Sequence, residues 1–374
     1  MKKLLITLLV VCLLPISRVQ ALDNDVTPNA KSAILIEANS RQILYDKNAE
    51  EKLYPASTTK IMTMILMFEA LRNKKISFDD EITTSKYAAS MGGSQVYLEV
   101  GESLSLKDMF KSIAIASAND ASVAVAEHIA GSINKFVEMM NDKAKKLGLK
   151  NTHFKNATGL HDPDHYTCAH DLAIMAAYLI EIGGEDLFAV TSLYDSYIRE
   201  DTKQSFWLVN TNKLLKLYNG VDGLKTGYTK EAGYCLVTTA QRDGQRIIGV
   251  LMKETAPKTR NEEMCSLLDY GFNNYKQVTI FKKDTLIEQH LVDKMDNLTI
   301  DVKCKKDIVY TKAKSATKVN YKENLLPVKQ GDVIGTLDVI VDGKTIATYD
   351  VYSDTNASKS TYLSKTIKTL KYLF

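Results

Sequence analysis

The stretch Pro55-Ala56-Ser57-Thr58-Thr59-Lys60 runs straight into Ile61-Met62-Thr63-Met64-Ile65-Leu66-Met67-Phe68. An apolar run of this length, interrupted only by Thr63, reads as a helix buried on all sides. Ser57 stands where that helix begins and Lys60 lies one turn on, so a hydroxyl and an amine share one face. A hydroxyl beside an amine that accepts its proton is an activated nucleophile. Burial favours such an amine, because desolvation disfavours the ammonium and lowers its pKa. The S-x-x-K spacing recurs at Ser132–Lys135 and Ser315–Lys318. The first of these lies in an ordinary amphipathic helix and the second in a polar β region. Only Ser57–Lys60 precedes a helix that would bury its lysine.

Upstream, residues 31–37 and 41–46 read as two strands joined by a turn at Asn39-Ser40. Downstream, the helix extends to about residue 72. Residues 73–110 are mixed, with Gly92-Gly93 and Gly101 as breakers, which predicts a loop-rich lobe with short helices. Apolar residues repeat at helical spacing over 106–116. Ser117-Ala118-Asn119-Asp120 follows, where Asn119 or Asp120 can cap a helix over 121–130. Another amphipathic helix covers 134–147, ended by Gly148. A long loop spans 151–167 and a helix 169–182. After a turn-rich passage over 210–222 come strand-like runs at 234–240 and 246–252, joined by the hairpin dipeptide Asp243-Gly244. A helix over about 257–273 closes a first domain, 25–275. From Lys276 the pattern changes to short alternating runs, with Asp342-Gly343 as another hairpin. That predicts a small all-β domain over 276–355.

The chain has 374 residues, 45% hydrophobic and 25% charged, as in ordinary globular proteins. Residues 1–21 read as a signal peptide: a basic start, an apolar stretch from Leu4 to Leu14, and Val19-Gln20-Ala21 as a small-residue cleavage site. The chain is therefore expected to be exported, to the outer face of the cytoplasmic membrane and the wall compartment. Removing the leader takes away Lys2, Lys3 and Arg18 and no acid, so the formal charge of +3 falls to zero. Net charge gives no argument for nucleic acid as a partner. Cys168, Cys235, Cys265 and Cys304 remain, widely spaced and matching no zinc pattern. Over 358–374 the sequence has no acid. It places Leu363, Ile367, Leu370 and Phe374 on one helical stripe beside Lys359, Lys365, Lys368 and Lys371. That composition suits a helix lying in an anionic membrane surface.

Two further motifs stand beyond Ser57–Lys60. Ser117-Ala118-Asn119 offers a second hydroxyl and a carboxamide at a helix junction. Lys225-Thr226-Gly227 precedes the strand pair and reads as an edge strand presenting an ammonium and a hydroxyl to a carboxylate, with Gly227 allowing close backbone approach. S-x-x-K, then S-x-N, then K-T-G in this order is the motif set of class A β-lactamases and penicillin-binding proteins. The chain resembles the D-alanyl-D-alanine carboxypeptidases, the low-molecular-weight penicillin-binding proteins of the S11 serine peptidase type. The loop pattern Gly159-Leu160, His165-Tyr166-Thr167 and 169–172 is shared with them. Cys168 departs from the small hydroxyl residue more usual there, and Tyr228 stands where some members carry histidine.

The resemblance implies an α/β (α+β) β-lactamase/transpeptidase-like domain, with an antiparallel sheet and an inserted helical lobe. A β sandwich and an amphipathic tail follow. It implies a serine-type D-Ala-D-Ala carboxypeptidase acting on peptidoglycan stem peptides, with β-lactam antibiotics as covalent inhibitors and no metal or organic cofactor. Ser57 would attack the penultimate D-alanine carbonyl, and Lys60 would take the proton. Ser117 would relay a proton to the leaving nitrogen, and Asn119 would hold Lys60 and the substrate amide. Lys225, Thr226, Gly227, Tyr228 and Thr229 would bind substrate, with backbone N–H groups of Ser57 and Tyr228 as the oxyanion hole. Two other readings are a class A-like β-lactamase and a non-catalytic penicillin-sensing or wall-binding module. The β-lactamase would need a deacylating glutamate after the S-x-N motif. Glu138-x-x-Asn141 follows Asn119 too closely, and 151–167 contains no Glu. His161, His165 and His170 match no standard zinc spacing.

Overall fold

The computed structural model describes residues 25–200, 202–275, 278–293, 298–310, 316–341 and 344–358. The predicted signal peptide and almost all of the predicted C-terminal helix lie outside the described residues. The elements of the first domain are β1 (Ser32–Glu37), β2 (Ile43–Lys47), α1 (Lys60–Arg72), β3 (Glu81–Thr83), α2 (Lys86–Ala89), β4 (Ser103–Ser105), α3 (Leu106–Ala114), α4 (Asn119–Ala130), α5 (Ile133–Lys146), α6 (Ala169–Thr191), β5 (Asp195–Ile198), β6 (Phe206–Val209), α7 (Leu214–Leu217), β7 (Val221–Thr229), β8 (Gly233–Arg242), β9 (Gln245–Glu254) and α8 (Pro257–Asn274).

The sheet has the order β2-β1-β9-β8-β7 and is antiparallel throughout. Its first two strands come from the start of the domain and its last three from the end, with α1 to α6 inserted between. β8 and β9 have six consecutive buried residues each, as central strands covered on both faces do. One face packs against the helical lobe through Ile34, Ile36, Val237, Ile248 and Val250. The other packs against α8 through Leu35, Leu236, Leu251, Met264 and Leu267. β7 is the free edge, as the motif reading requires.

Helix α1 is the core of the lobe. Every residue from Lys60 to Phe68 is buried. Each fully buried Leu, Ile, Met or Phe contributes roughly 1.5–3 kcal/mol relative to exposure, so α1 has no tendency to swing out. The four residues before it, Ala56–Thr59, form a single 3₁₀ turn. Ser57 is therefore on a tight turn leading into the α-helix, not inside it.

Several sequence expectations change. Residues 73–110 contain a short antiparallel pair, β3 with β4, as well as α2. β5 and β6 form another pair between α6 and the turn-rich segment. Helix α6 runs to Thr191, with a break at Gly184 (φ 50°, ψ −137°), rather than stopping at 182. Helix α4 starts at Asn119 with Ala118 at the cap position and no side-chain cap. Asn119 and Asp120 do not serve as its cap, because both side chains are engaged elsewhere.

The second domain contains β10 (Val278–Phe281), β11 (Leu286–Asp293), β12 (Leu298–Lys303), β13 (Ile308–Tyr310), β14 (Ala316–Tyr321), β15 (Val333–Val341) and β16 (Lys344–Ser353). β11-β12-β16-β15-β14 form one sheet and β10-β13 another. Ile300, Val302, Ile334, Leu337, Val339 and Val351 make a core separate from those of the first domain. Cys168, Cys235, Cys265 and Cys304 are free thiols.

Candidate active site

The 3₁₀ turn presents Ser57 half-exposed above the buried end of α1. Ala56 is held at φ +47°, a conformation costly for a residue with a Cβ. The turn is braced by Thr58, whose Oγ1 donates to the Pro55 carbonyl at 2.7 Å. Ser117 is likewise held at φ +63°, between α3 and α4. The backbone is thus strained at the predicted proton relay and next to the predicted nucleophile.

Lys60 is completely buried. Its Nζ donates to Ser57 Oγ at 3.0 Å, Asn119 Oδ1 at 2.7 Å and the Thr158 carbonyl at 2.8 Å. Burial, reinforced by the nearby charge of Lys225 and opposed by Asp120, holds its pKa well below the usual lysine value. That is the condition for a neutral amine that takes a proton from Ser57. Asn119 uses its other end to donate Nδ2 to the Gly92 carbonyl at 2.7 Å. Asp120 turns away from the site. It accepts from the backbone N–H groups of Val96 and Leu98, both at 3.1 Å, and so holds the loop that carries Ser94.

The loop 151–167 closes the site from behind. Besides the Thr158 carbonyl, it supplies the Ala157 carbonyl, which accepts from Thr63 at 2.8 Å. A Cβ on Gly159 would lie 1.8 Å from the Ala56 carbonyl oxygen, so only glycine lets this loop pass behind Ser57. His165 is buried and pairs its Nε2 with Thr59 Oγ1 at 2.8 Å, while Nδ1 accepts from Lys155 N–H at 3.2 Å. The accepting Nδ1 places the proton on Nε2. Burial holds this imidazole down at about 4. His161 packs edge-on against Tyr54, and His170 lies beside Glu50 and Asp171. The three histidines therefore have separate partners and do not converge.

On the opposite wall, β7 passes close to the 3₁₀ turn. A Cβ on Gly227 would lie 2.9 Å from the Pro55 carbonyl and 3.0 Å from Ser57 N. This brings the backbone of β7 alongside the N–H of Ser57, as an oxyanion pocket between Ser57 and Tyr228 needs. Tyr228 is exposed and stacks on Tyr234 at 4.4 Å. Thr226 donates its hydroxyl to Thr211 Oγ1 at 2.7 Å. The hydroxyl of Thr229 accepts from Ala232 N–H at 3.1 Å and braces the β7–β8 turn. Thr229 thus stands apart from the other predicted substrate residues.

Lys225 also differs from expectation. It is 1% exposed and donates to the Thr226 carbonyl at 3.0 Å, so it does not present its ammonium on the cleft surface. Burial and the neighbouring Arg260 bring it down to about 7. Two other cations line the cleft, Lys213 and Arg260; Arg260, on α8, is held by Asn261 Oδ1 at 2.9 and 3.2 Å. Sequence reasoning missed Arg260, Thr211 and Thr158. Arg260 and Thr211 belong to no local motif, and Thr158 contributes only its carbonyl.

Ser57, Ser94, Ser117, Thr211, Thr226, Gly227, Tyr228 and Arg260 together line a cleft of about 500 Å³. Glu138 lies on the exposed surface of α5, outside this cleft. A second cavity, of about 560 Å³, lies between Phe68, Ile76 and Ile182 and holds none of the motif residues.

Comparison with known proteins agrees with this arrangement. Residues 18–256 match the family model described as D-alanyl-D-alanine carboxypeptidase, and residues 275–359 match the penicillin-binding protein 5 C-terminal domain. The chain is 44% identical over 354 residues to the D-alanyl-D-alanine carboxypeptidase DacF of Bacillus subtilis, covering 92% of this chain and 90% of that protein. It is 35% identical to DacC of Escherichia coli, over 85% and 82% of the two chains. Penicillin-binding protein 5 from Haemophilus influenzae superposes with a TM-score of 0.75 at 32% identity, covering 88% of this chain and 98% of that one. The ampicillin-bound form of penicillin-binding protein D2 from Listeria monocytogenes superposes with a TM-score of 0.59 at 30% identity, covering 65% and 98%. With its three motifs gathered at one cleft and relatives matched along nearly its whole length, the chain belongs to the D-alanyl-D-alanine carboxypeptidase family.

Proposed function

We propose that this chain is a serine-type carboxypeptidase that removes the terminal D-alanine from peptidoglycan pentapeptide stems and so limits wall cross-linking. The observation that carries this reading is the contact between Ser57 Oγ and the buried, pKa-depressed Lys60 Nζ at 3.0 Å. Ser57 attacks the carbonyl carbon of the penultimate D-alanine while its proton passes to Lys60. The negative charge that develops on the carbonyl oxygen is held by the N–H groups of Ser57 and Tyr228, a stabilisation worth roughly 3 kcal/mol per donor in other hydrolases. The C–N bond then breaks, and Ser117 passes a proton to the departing D-alanine nitrogen. Water hydrolyses the resulting ester and restores Ser57. The substrate carboxylate lies against Thr226, Thr211 and Arg260, with Lys225 adding positive field from beneath. A β-lactam undergoes the same attack, but its leaving nitrogen stays tethered, so the acyl-enzyme persists.

Cleavage of residues 1–21, export to the outer face of the cytoplasmic membrane, and attachment through 358–374 to anionic lipid complete the reading. They rest on sequence composition. The test is direct. Purified protein should release D-alanine from a peptide ending in D-Ala-D-Ala, and labelled penicillin should form a covalent adduct that Ser57→Ala abolishes. Labelling that survives the substitution would reject Ser57. Rapid penicillin turnover without D-alanine release would support the β-lactamase instead. Binding with neither reaction would support a sensor.

A further inference from the structure

Trp207, the single tryptophan of the chain, is 54% exposed on β6. A buried position is usual for so large an apolar ring. Strand periodicity puts Trp207 and Val209 on one face of β6, while Phe206 and Leu208 turn inward to the core. Val209 lines the catalytic cleft. Trp207 therefore lies about 7 Å further along the same face. Tyr197 is its directly paired neighbour on β5 and is 48% exposed. Directly opposed residues share a face, so the two rings form a continuous surface leading out of the cleft. Neither the indole N–H nor the tyrosine hydroxyl has a protein partner among the described residues.

This pair of strands is held firmly. Arg199 donates Nε and Nη2 to the Glu102 carboxylate at 2.5 and 3.0 Å, and Nη1 to the Val96 carbonyl at 3.1 Å. Lys111 donates to the Tyr197 carbonyl at 3.1 Å. The rings are thus tied to the loop that also forms the Ser94 wall of the cleft.

We propose that Trp207 and Tyr197 form a saccharide-stacking subsite, which takes a pyranose ring of the glycan strand that carries the stem peptide. The proposal rests on the peptidoglycan reading above. A face continuous with the cleft meets whatever is covalently attached to the peptide in the cleft, and in peptidoglycan that is a sugar polymer. An extended five-residue stem spans at most about 18 Å, so its attached sugar stays near the rim. The C–H face of a pyranose packs on the electron-rich face of an aromatic ring, and its hydroxyls can accept from the unpaired indole N–H or pair with the phenol.

The fluorescence of Trp207 reads this site directly. In the full chain carrying Ser57→Ala, titration with a peptide-free N-acetylated β-1,4 disaccharide should shift or quench the emission in a saturable way, and free pentapeptide should not. In the active enzyme, a disaccharide-pentapeptide should show about tenfold higher kcat/KM than free pentapeptide. Trp207→Ala should bring the two values together, and Trp207→Tyr should restore most of the difference. An unchanged emission with the disaccharide overturns the proposal, as does a Trp207→Ala effect equal on both substrates. Trp207-dependent capture of a wall protein, with no saccharide response, also overturns it and assigns the face to a protein partner. Failure of the wild type to release D-alanine from either substrate would reject the carboxypeptidase reading, while the disaccharide titration would still test the subsite.

Discussion

Lys60 and Lys225 are both buried, yet the proposed chemistry asks opposite protonation states of them. Lys60 has to be neutral when Ser57 attacks, and burial lowers its pKa well below the usual lysine value, in the direction that favours this. Lys225 has to be charged to favour a carboxylate, and at about 7 it is half deprotonated at neutrality and loses the rest of its charge as pH rises further. Its loss of charge also removes one of the influences that keep Lys60 neutral. The expected pH profile of kcat/KM, which reports the free enzyme, is therefore a bell. Activity rises as pH climbs through the Lys60 pKa, and falls as pH climbs past about 7 through that of Lys225. Arg260 is the charge that lowers Lys225, so Arg260→Gln should move the alkaline limb to higher pH while raising KM. An alkaline limb at the same pH in both proteins would show that Lys225 does not govern it.

At the scale of elements, the site depends on two close approaches to the 3₁₀ turn, one by the 151–167 loop at Gly159 and one by β7 at Gly227. Gly227→Ala puts a methyl group against Pro55 O and Ser57 N, and so widens the gap that the oxyanion donors span. Penicillin acylation should slow about 100-fold, the usual effect of losing one such donor, while the melting temperature changes far less. Acylation within threefold of wild type would remove the Tyr228 N–H from the oxyanion pocket. Elements with strong patterns were legible in the sequence: α1 from its apolar run interrupted only by Thr63, β8 and β9 from strand-like runs joined by Asp243-Gly244. β3, β4, β5 and β6 were not, because strands of three or four residues carry too short a pattern. Helix α6 runs beyond the predicted end at 182, because the pair Gly183-Gly184 does not terminate it. In the fold, the chain breaks helical geometry only at Gly184 and resumes.

The whole molecule joins a catalytic domain to a β domain with its own core, and among the described residues no helix is long and apolar enough to cross a membrane. In the proposed function, membrane attachment rests on the acid-free, lysine-rich composition of 358–374. Deleting these residues from the mature chain should move it from vesicles containing anionic lipid into the supernatant, with D-alanine release in solution unchanged. Equal sedimentation of both forms would reject the tail as anchor. The order of S-x-x-K, S-x-N and K-T-G, and the apolar helix behind Ser57, were enough to identify the family and its fold, and to name side chains that the fold brings together at one cleft. These are local properties of the chain, since spacing along a helix and residue type at a strand edge do not depend on distant contacts. Only the tertiary structure decided that Lys225 lies beneath the cleft and not in it, that the largely buried Arg260 from α8 lines the cleft wall, and that the Thr158 carbonyl completes the partners of Lys60. Those contacts join residues up to 98 positions apart in the case of Thr158. Such contacts arise from packing of the loop and α8 against the sheet, which no spacing rule encodes.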